Sequence, residues 1–197
     1  YVIANGTTSA ELGHFTASST YQQGSVDISA YAGQPVQVAF RHYNITDMFR
    51  LNLDLVEVSG GGSTPNTPVP PTENPVTPEP GTTTGWGFET DPFAEGWTIR
   101  DDDGDGYNWE WMDASASDYN VYEGTHCMAS ASYQNSAFGG GTALTPDNWL
   151  ISPAFTAGST VTFWYAGQDP SYSAEPFGVY VIANGTTSAE LGHFTAS

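Results

Sequence analysis

Residues 1–18 read YVIANGTTSAELGHFTAS, and residues 180–197 read the same eighteen letters. Chance identity over so many positions is negligible, and repetition has to be settled before any other reading, because missing it mis-assigns the fold. The offset of 179 residues behaves as one full period of a tandem array opened in the middle of a domain. Residues 1–58 then form the second part of one repeat, 59–85 a linker, and 86–197 the first part of the next. Joining 86–179 to 1–58 restores a unit of 152 residues, ample for a single core. With no initiator Met and no signal-like start, the chain reads as a piece of something longer.

Composition narrows the class. Three Arg, no Lys and 22 acids give a net charge of −19, the wrong sign for nucleic acid or an anionic membrane surface. Aromatics at 14% beside 22 Gly and 13 Pro fit a turn-rich β protein; a disordered acidic tail would be poor in aromatics. No stretch reaches the ~20 apolar residues that a membrane-spanning helix needs. Cys127 is alone in the repeat, so a disulfide framework is excluded and bound metal is the expected staple for an exported domain. Its alternating surroundings, THCMASASY, read as a strand with a small buried hydrophobe.

Helix periodicity is nearly absent, and short alternating runs recur between Gly, Pro and Asn turns. Residues 1–4 and 12–16 read as two strands about a turn at Asn5-Gly6. Residues 35–43 put Val36, Val38, Phe40 and His42 on one face. Residues 49–58 put Phe49, Leu51, Leu53 and Leu55 on one side, with Asn52 and Asp54 on the other. Strands are also expected at 148–151, 160–166 and 177–183. The pattern is all-β, a sandwich or jelly roll. Between the two parts, GGGSTPNTPVPPTENPVTPEPGTTTG is a Pro/Thr/Gly-rich linker, extended by its prolines. At polyproline rise, 27 residues reach ~84 Å, against ~38 Å across a globule of one repeat, so the halves can close within one chain. Exchange between neighbouring chains would instead give a head-to-tail filament.

The densest chemistry lies at 101–106, DDDGDG, too acidic and glycine-rich for helix or strand. Asp101, Asp103 and Asp105 followed by Gly106 reproduce the opening of a calcium loop, in which alternate carboxylates converge and the glycine permits the sharp turn. Hard oxygens at this density select Ca²⁺. Met112 stands where an EF-hand needs its bidentate Glu, and no helices flank the loop, so the remaining ligands must come from elsewhere. Glu89, Asp54, Asp113 and Asp118 are the candidates. No nucleophile elbow, zinc-protease helix or P-loop is present, and His14, His42, His126 and His193 share no ligand spacing. Trp97 and Trp149 fall in strand-like runs and read as core. Tyr107, Trp109, Tyr119 and Tyr122 sit in or near long loops, where they are candidates for stacking on sugars or anchoring a protein contact.

In order, GFETDPFAEGWTIRDDDGDGYNW, PDNWLISPAF, FGVYVIANG and, from the front of the chain, VDISAYAGQPVQVAFRHYNITDMFRLNLDLVEV resemble the signature of cleaved adhesin domains. These are the repeated modules of gingipain-type haemagglutinins and many bacterial surface proteins. The resemblance covers nearly all of the 152-residue unit, in rotated order, and none of the linker. It implies a jelly-roll β-sandwich with bound calcium, displayed outside the bacterial cell and without catalytic residues. Carried onto this sequence, the acidic opening strand falls on Glu89, the D-x-D-G-D-G loop on Asp101, Asp103 and Asp105, and the closing strand on Asp54. The family often has a second acid directly after that last Asp, where this chain has Leu55.

The expected function is a non-catalytic, calcium-stabilised repeat of a secreted adhesin or extracellular fibre. Its partners would be neighbouring repeats and a host or matrix protein or glycan, with no nucleic acid and no membrane insertion. The alternative is a carbohydrate-binding module of a secreted polysaccharide-degrading enzyme. A hydrolase ranks third.

Overall fold

The computed structural model describes residues 20–60, 84–115 and 119–183 in full, and the backbone of 11–16. The expected turn at Asn5-Gly6, the linker's 61–83, Asp118, His193 and the imidazole of His14 lie outside the described residues.

Two six-stranded antiparallel sheets make the frame. One runs in the order β1 (Glu11–Thr16), β14 (Pro176–Ala183), β3 (Pro35–Tyr43), β11 (Asp147–Ile151) and β6 (Thr98–Asp101), and β12 (Phe155–Thr156) also pairs with β3. The other runs β2 (Gln22–Asp27), β13 (Thr160–Gly167), β4 (Arg50–Ser59), β8 (His126–Ala131) and β7 (Glu110–Asp113), and β5 (Thr84–Trp86) also pairs with β4. A hairpin of β9 (Tyr133–Asn135) and β10 (Gly141–Ala143) stands apart. The chain alternates between the sheets through β2, β3 and β4, and again from β13 to β14. That alternation makes the fold a jelly-roll β-sandwich.

Strands from both sides of the linker share these sheets. β3 lies between β14 and β11, and β4 lies between β13 and β8. The six letters of β1 are the same as residues 190–195, and β1 pairs with β14 from Glu11↔Tyr180 to Thr16↔Pro176. The linker is shorter than expected at both ends. Ser59 closes β4, while Thr84 and Gly85 belong to β5, and Val58↔Thr84 and Glu57↔Gly85 are paired.

Alternation places the core as elementary strand geometry requires. Val36, Val38 and Phe40 of β3 meet Leu51, Leu53, Val161 and Phe163 across the interior, all at most 1% exposed. Each such side chain contributes roughly 1.5–3 kcal/mol by leaving water. Phe163 meets Phe40 edge-on at 5.1 Å, and Tyr165 meets Phe177 at 5.0 Å.

The expected single phase along 49–58 breaks at Leu55. Thr162 pairs with Glu57 but Trp164 with Asp54, so β4 carries one extra residue there, and Leu55 has φ +38°. This β-bulge turns Leu55 out of the core, half-exposed, and hands the inward positions to Val56 and Val58. Trp97 is core, as expected, but Trp149 is buried elsewhere. It lies on the outer face of its sheet with Ala39 and Tyr180, its indole between the guanidinium groups of Arg41 at 5.0 Å and Arg100 at 4.5 Å.

Candidate metal centre

β6 ends at Asp101, whose backbone still pairs with Asn148, so the acidic loop begins at the rim of a rigid strand. The Asp101 carboxylate then closes the loop on itself, accepting the N–H of Gly104 at 2.7 Å and of Gly106 at 3.0 Å. Both glycines have positive φ, +73° and +83°, which the sharp turn requires. Asp102 points the other way and pairs with Arg100 at 2.6 and 2.8 Å. The alternate members Asp101, Asp103 and Asp105 are left facing one another, each offering an oxygen within 4.8 Å of the others.

The electrostatics follow from that crowding. Desolvation pushes the Asp103 carboxyl up, and its hydrogen bond with Asp101 and the charge of Asp105 push it further, to about 6. At Asp101 desolvation acts in the same direction, but the N–H groups of Gly104 and Gly106 prevail and hold the carboxyl below its ordinary value. Three carboxylate oxygens converging on one point, one of them holding its proton unusually high, fit a hard divalent cation.

Glu89 and Asp54 do not join this group. Both grip the loop between β7 and β8 instead. Asp54 is buried and accepts the N–H groups of Leu55, Tyr122 and Glu123 at 2.7, 2.9 and 3.2 Å. Burial raises its carboxyl to about 6 against those three donors. Glu89 is exposed and accepts the N–H groups of Thr125 and His126 at 3.0 Å. Desolvation opposes ionisation there, but those donors hold its carboxyl below the usual range. Asp113 accepts the N–H and hydroxyl of Ser115 and lies 4.0 Å from His126. Sequence spacing separates only Asp54 from the DDDGDG loop, since Asn52 and Val56 stand at its i±2 positions, whereas Glu89 has Asp91 at i+2.

The aromatics divide as well. Tyr107 and Tyr122 are each 39% exposed. Tyr119 is half-buried with the Arg50 guanidinium 5.8 Å from its ring centre. Trp109 is only 2% exposed and donates its indole N–H to the carbonyl of Asn148 at 3.1 Å, so it is a core residue and not a surface for ligands. Its nearness in sequence to the loop is misleading because the chain re-enters the sandwich at Trp109, just ahead of β7. Trp164, another of the chain's surplus aromatics, is half-buried. It stacks under Tyr122 at 3.8 Å and 11°, on the outer face of β13. The alternation of TVTFWYAG, with Phe163 and Tyr165 turned inward, already points Trp164 outward.

Loops carrying acids and aromatics stand at the rims of an apolar-cored, two-sheet β-sandwich. The chain belongs to the Cleaved Adhesin Domain family, whose model matches residues 4–58 and 82–196. It is 28% identical over 255 residues to Hemagglutinin A of Porphyromonas gingivalis (strain ATCC BAA-308 / W83), covering 90% of this chain and 12% of that protein. It is 31% identical over 194 residues to a Lys-gingipain of the same species, covering 96% of this chain and 10% of the relative. With Lys-gingipain W83 the identity is 36% over 176 residues, covering 87% and 9%. The chain therefore spans about a tenth of the length of these relatives. No solved structure matches it. Among the described residues no helix is long and apolar enough to cross a membrane.

Proposed function

We propose that this chain is one period of a tandem array of non-catalytic adhesion modules on an exported bacterial surface protein. The observation that carries the reading is the shared sheet: β3 and β4, from before the linker, fill inner positions between strands from after it. A sequence opened mid-domain, with an eighteen-residue overlap at its ends, would fold in this way. In the array, residues 1–58 complete the repeat before them and 86–197 begin the repeat after the linker. The slot beside β14 is then filled by whichever copy of ELGHFT is nearest, 11–16 or 190–195, and this supports head-to-tail assembly when the copy comes from a neighbour. The kinship with Hemagglutinin A supports adhesion and display outside the cell.

Calcium is part of the proposal. Asp101, Asp103 and Asp105 would hold it, and the ion would neutralise their mutual repulsion and stiffen the rim. Glu89 and Asp54 are proposed to support the neighbouring loop without sharing that ion.

The test is a permuted chain in which residues 86–179 run directly into 1–58, omitting linker and overlap. One cooperative melt, close to that of the parent chain, supports the repeat assignment. Two independently folding halves would refute it. A second reading, a carbohydrate-binding module, draws on the Tyr122–Trp164 stack. A glycan array separates the two, because that reading requires a sugar signal that Trp164→Ala abolishes.

A further inference from the structure

At one end of the sandwich a cavity of about 300 Å³ opens between the β3–β4 connection, β9 and the loop before β14. Its walls include Asp47, Phe49, Tyr133, Asn135, Asp169 and Tyr172. From these residues we infer that the cavity receives the cationic end of a lysine or arginine side chain presented by a partner protein. The inference rests on the reading of the chain as a binding module, and it adds the chemistry of what is bound.

Charge decides the class of ligand. Two carboxylates and two phenol rings face this space, and an anion would be repelled there. The Asp47 carboxylate accepts no hydrogen bond from the described residues, and that of Asp169 accepts one, from the Ser171 N–H at 2.7 Å. Among the described residues no cationic side chain pairs with either of them. The chain contains no lysine, and its three arginines are committed elsewhere: Arg41 to Asp147, Arg50 to Glu110 and Arg100 to Asp102. For the same reason a second copy of this chain has no lysine to insert, and its arginines are likewise committed. The cation must come from a different, basic protein, which the net charge of −19 also attracts. Phe49, Tyr133 and Tyr172 supply the aromatic faces that a cation on an alkyl stem packs against.

The cavity is also built rigidly. Glu175, completely buried, ties its three walls together from beneath. One Glu175 oxygen accepts the Phe49 N–H and the Ser132 hydroxyl, both at 2.8 Å, while the other meets His42 Nε2 at 3.0 Å. Ser132 in turn accepts the Met48 N–H on its hydroxyl and the Asp47 N–H on its carbonyl. A buried carboxylate that fixes all three walls reduces the ordering cost of filling the space.

The experiment uses the whole chain, isotopically labelled, and four small probes: Nα-acetyl-lysine methylamide, its arginine and glutamine counterparts, and a methyl glucoside. Saturable NMR shifts at Asp47, Tyr133, Asn135 and Tyr172 are expected with a cationic probe and absent with the two neutral ones. Asp47→Asn combined with Asp169→Asn weakens that binding roughly tenfold, and so does Tyr172→Ala. Raising NaCl to 0.5 M weakens it in unaltered protein, a readout independent of any variant. Equal shifts with the glutamine probe or the glucoside would overturn the proposal. So would shifts centred on Asp101–Asp105, or none. Attachment of beads coated with the intact chain to a basic matrix protein distinguishes the two levels. Attachment that persists when the probes fail rejects the cavity and leaves adhesion standing; attachment that fails while the probes bind does the reverse.

Discussion

The Glu89 carboxylate occupies the space where a side chain on Gly124 would begin. A Cβ built on Gly124 would lie 2.2 Å from the carboxyl carbon and 2.3 and 2.5 Å from its oxygens. Gly124 also has φ +64°. The bare glycine lets the β7–β8 loop close tightly enough for Glu89 to take the N–H groups of Thr125 and His126. Gly124→Ala must therefore expel that carboxylate and strain its own backbone. A loss of about 1–3 kcal/mol is expected, read as a lower urea midpoint with unchanged m. Glu89→Ala should cost a similar amount, and adding Gly124→Ala to it should cost less than in the parent, since the clash is gone. Full additivity of the two would count against the contact.

Trp109 and Tyr107 are two residues apart and make opposite predictions. Trp109 is enclosed and hydrogen-bonded, so Trp109→Ala should cost about 3–5 kcal/mol and lower the melting temperature sharply. Tyr107 projects from the acidic loop, and Tyr107→Ala should change stability by less than about 0.5 kcal/mol. Comparable losses for both would mean that the loop is packed more deeply than the geometry shows.

What the sequence discloses depends on how local the cause is. The inward alternation of Val36, Val38, Phe40 and His42 is a property of one strand, and all four are buried as read. That His42 needs Glu175 as its partner is not legible, because the two are 133 residues apart and meet only when β3 and β14 lie side by side. The bulge at Leu55 is hidden for a related reason: it is a mismatch between β4 and β13, and LNLDLVEV alone gives no sign of it. The mutual approach of Asp101, Asp103 and Asp105 was readable from spacing, because a tight loop imposes it. Placing Glu89 and Asp54 beside them was not, since it demanded knowledge of which loop each acid reaches across the sheet.

The acidic loop yields a metal-removal prediction. A site occupied at a hundredfold excess of calcium over Kd stabilises the fold by about 2.7 kcal/mol, roughly 5–10 °C in melting temperature for a chain of this size. EDTA should remove that increment, and calcium should restore it. Asp103→Asn with Asp105→Asn should abolish the calcium response and slightly stabilise the metal-free protein, by relieving repulsion around Asp101. A melting temperature indifferent to EDTA and to calcium in the parent chain would remove calcium from this loop.

Cys127 makes a prediction about pH. Its thiol is fully buried, and burial first, then the charge of Asp54, pushes its pKa up to about 12. The thiolate is the reactive form, and at pH 8 it is about one part in ten thousand of a thiol with that pKa. The native protein should therefore stay silent towards a disulfide reagent at pH 8 and react only as guanidinium unfolds it. The sign of the linkage follows from the same shift. Well below the ordinary thiol pKa of about 8.5, both folded and unfolded thiols are neutral and pH has no effect through this group. Between about 9 and 12 the unfolded thiol ionises while the folded one does not, so stability falls as pH rises. Tyr21, raised by burial, acts in the same direction, so the parent curve alone cannot assign the slope to one group. Cys127→Ala isolates it: the variant starts less stable because it leaves a cavity, but it should lose less stability between pH 9 and 11 than the parent. Parallel curves for the two proteins, or rapid labelling of the native thiol, would mean that Cys127 is not sealed within the sandwich.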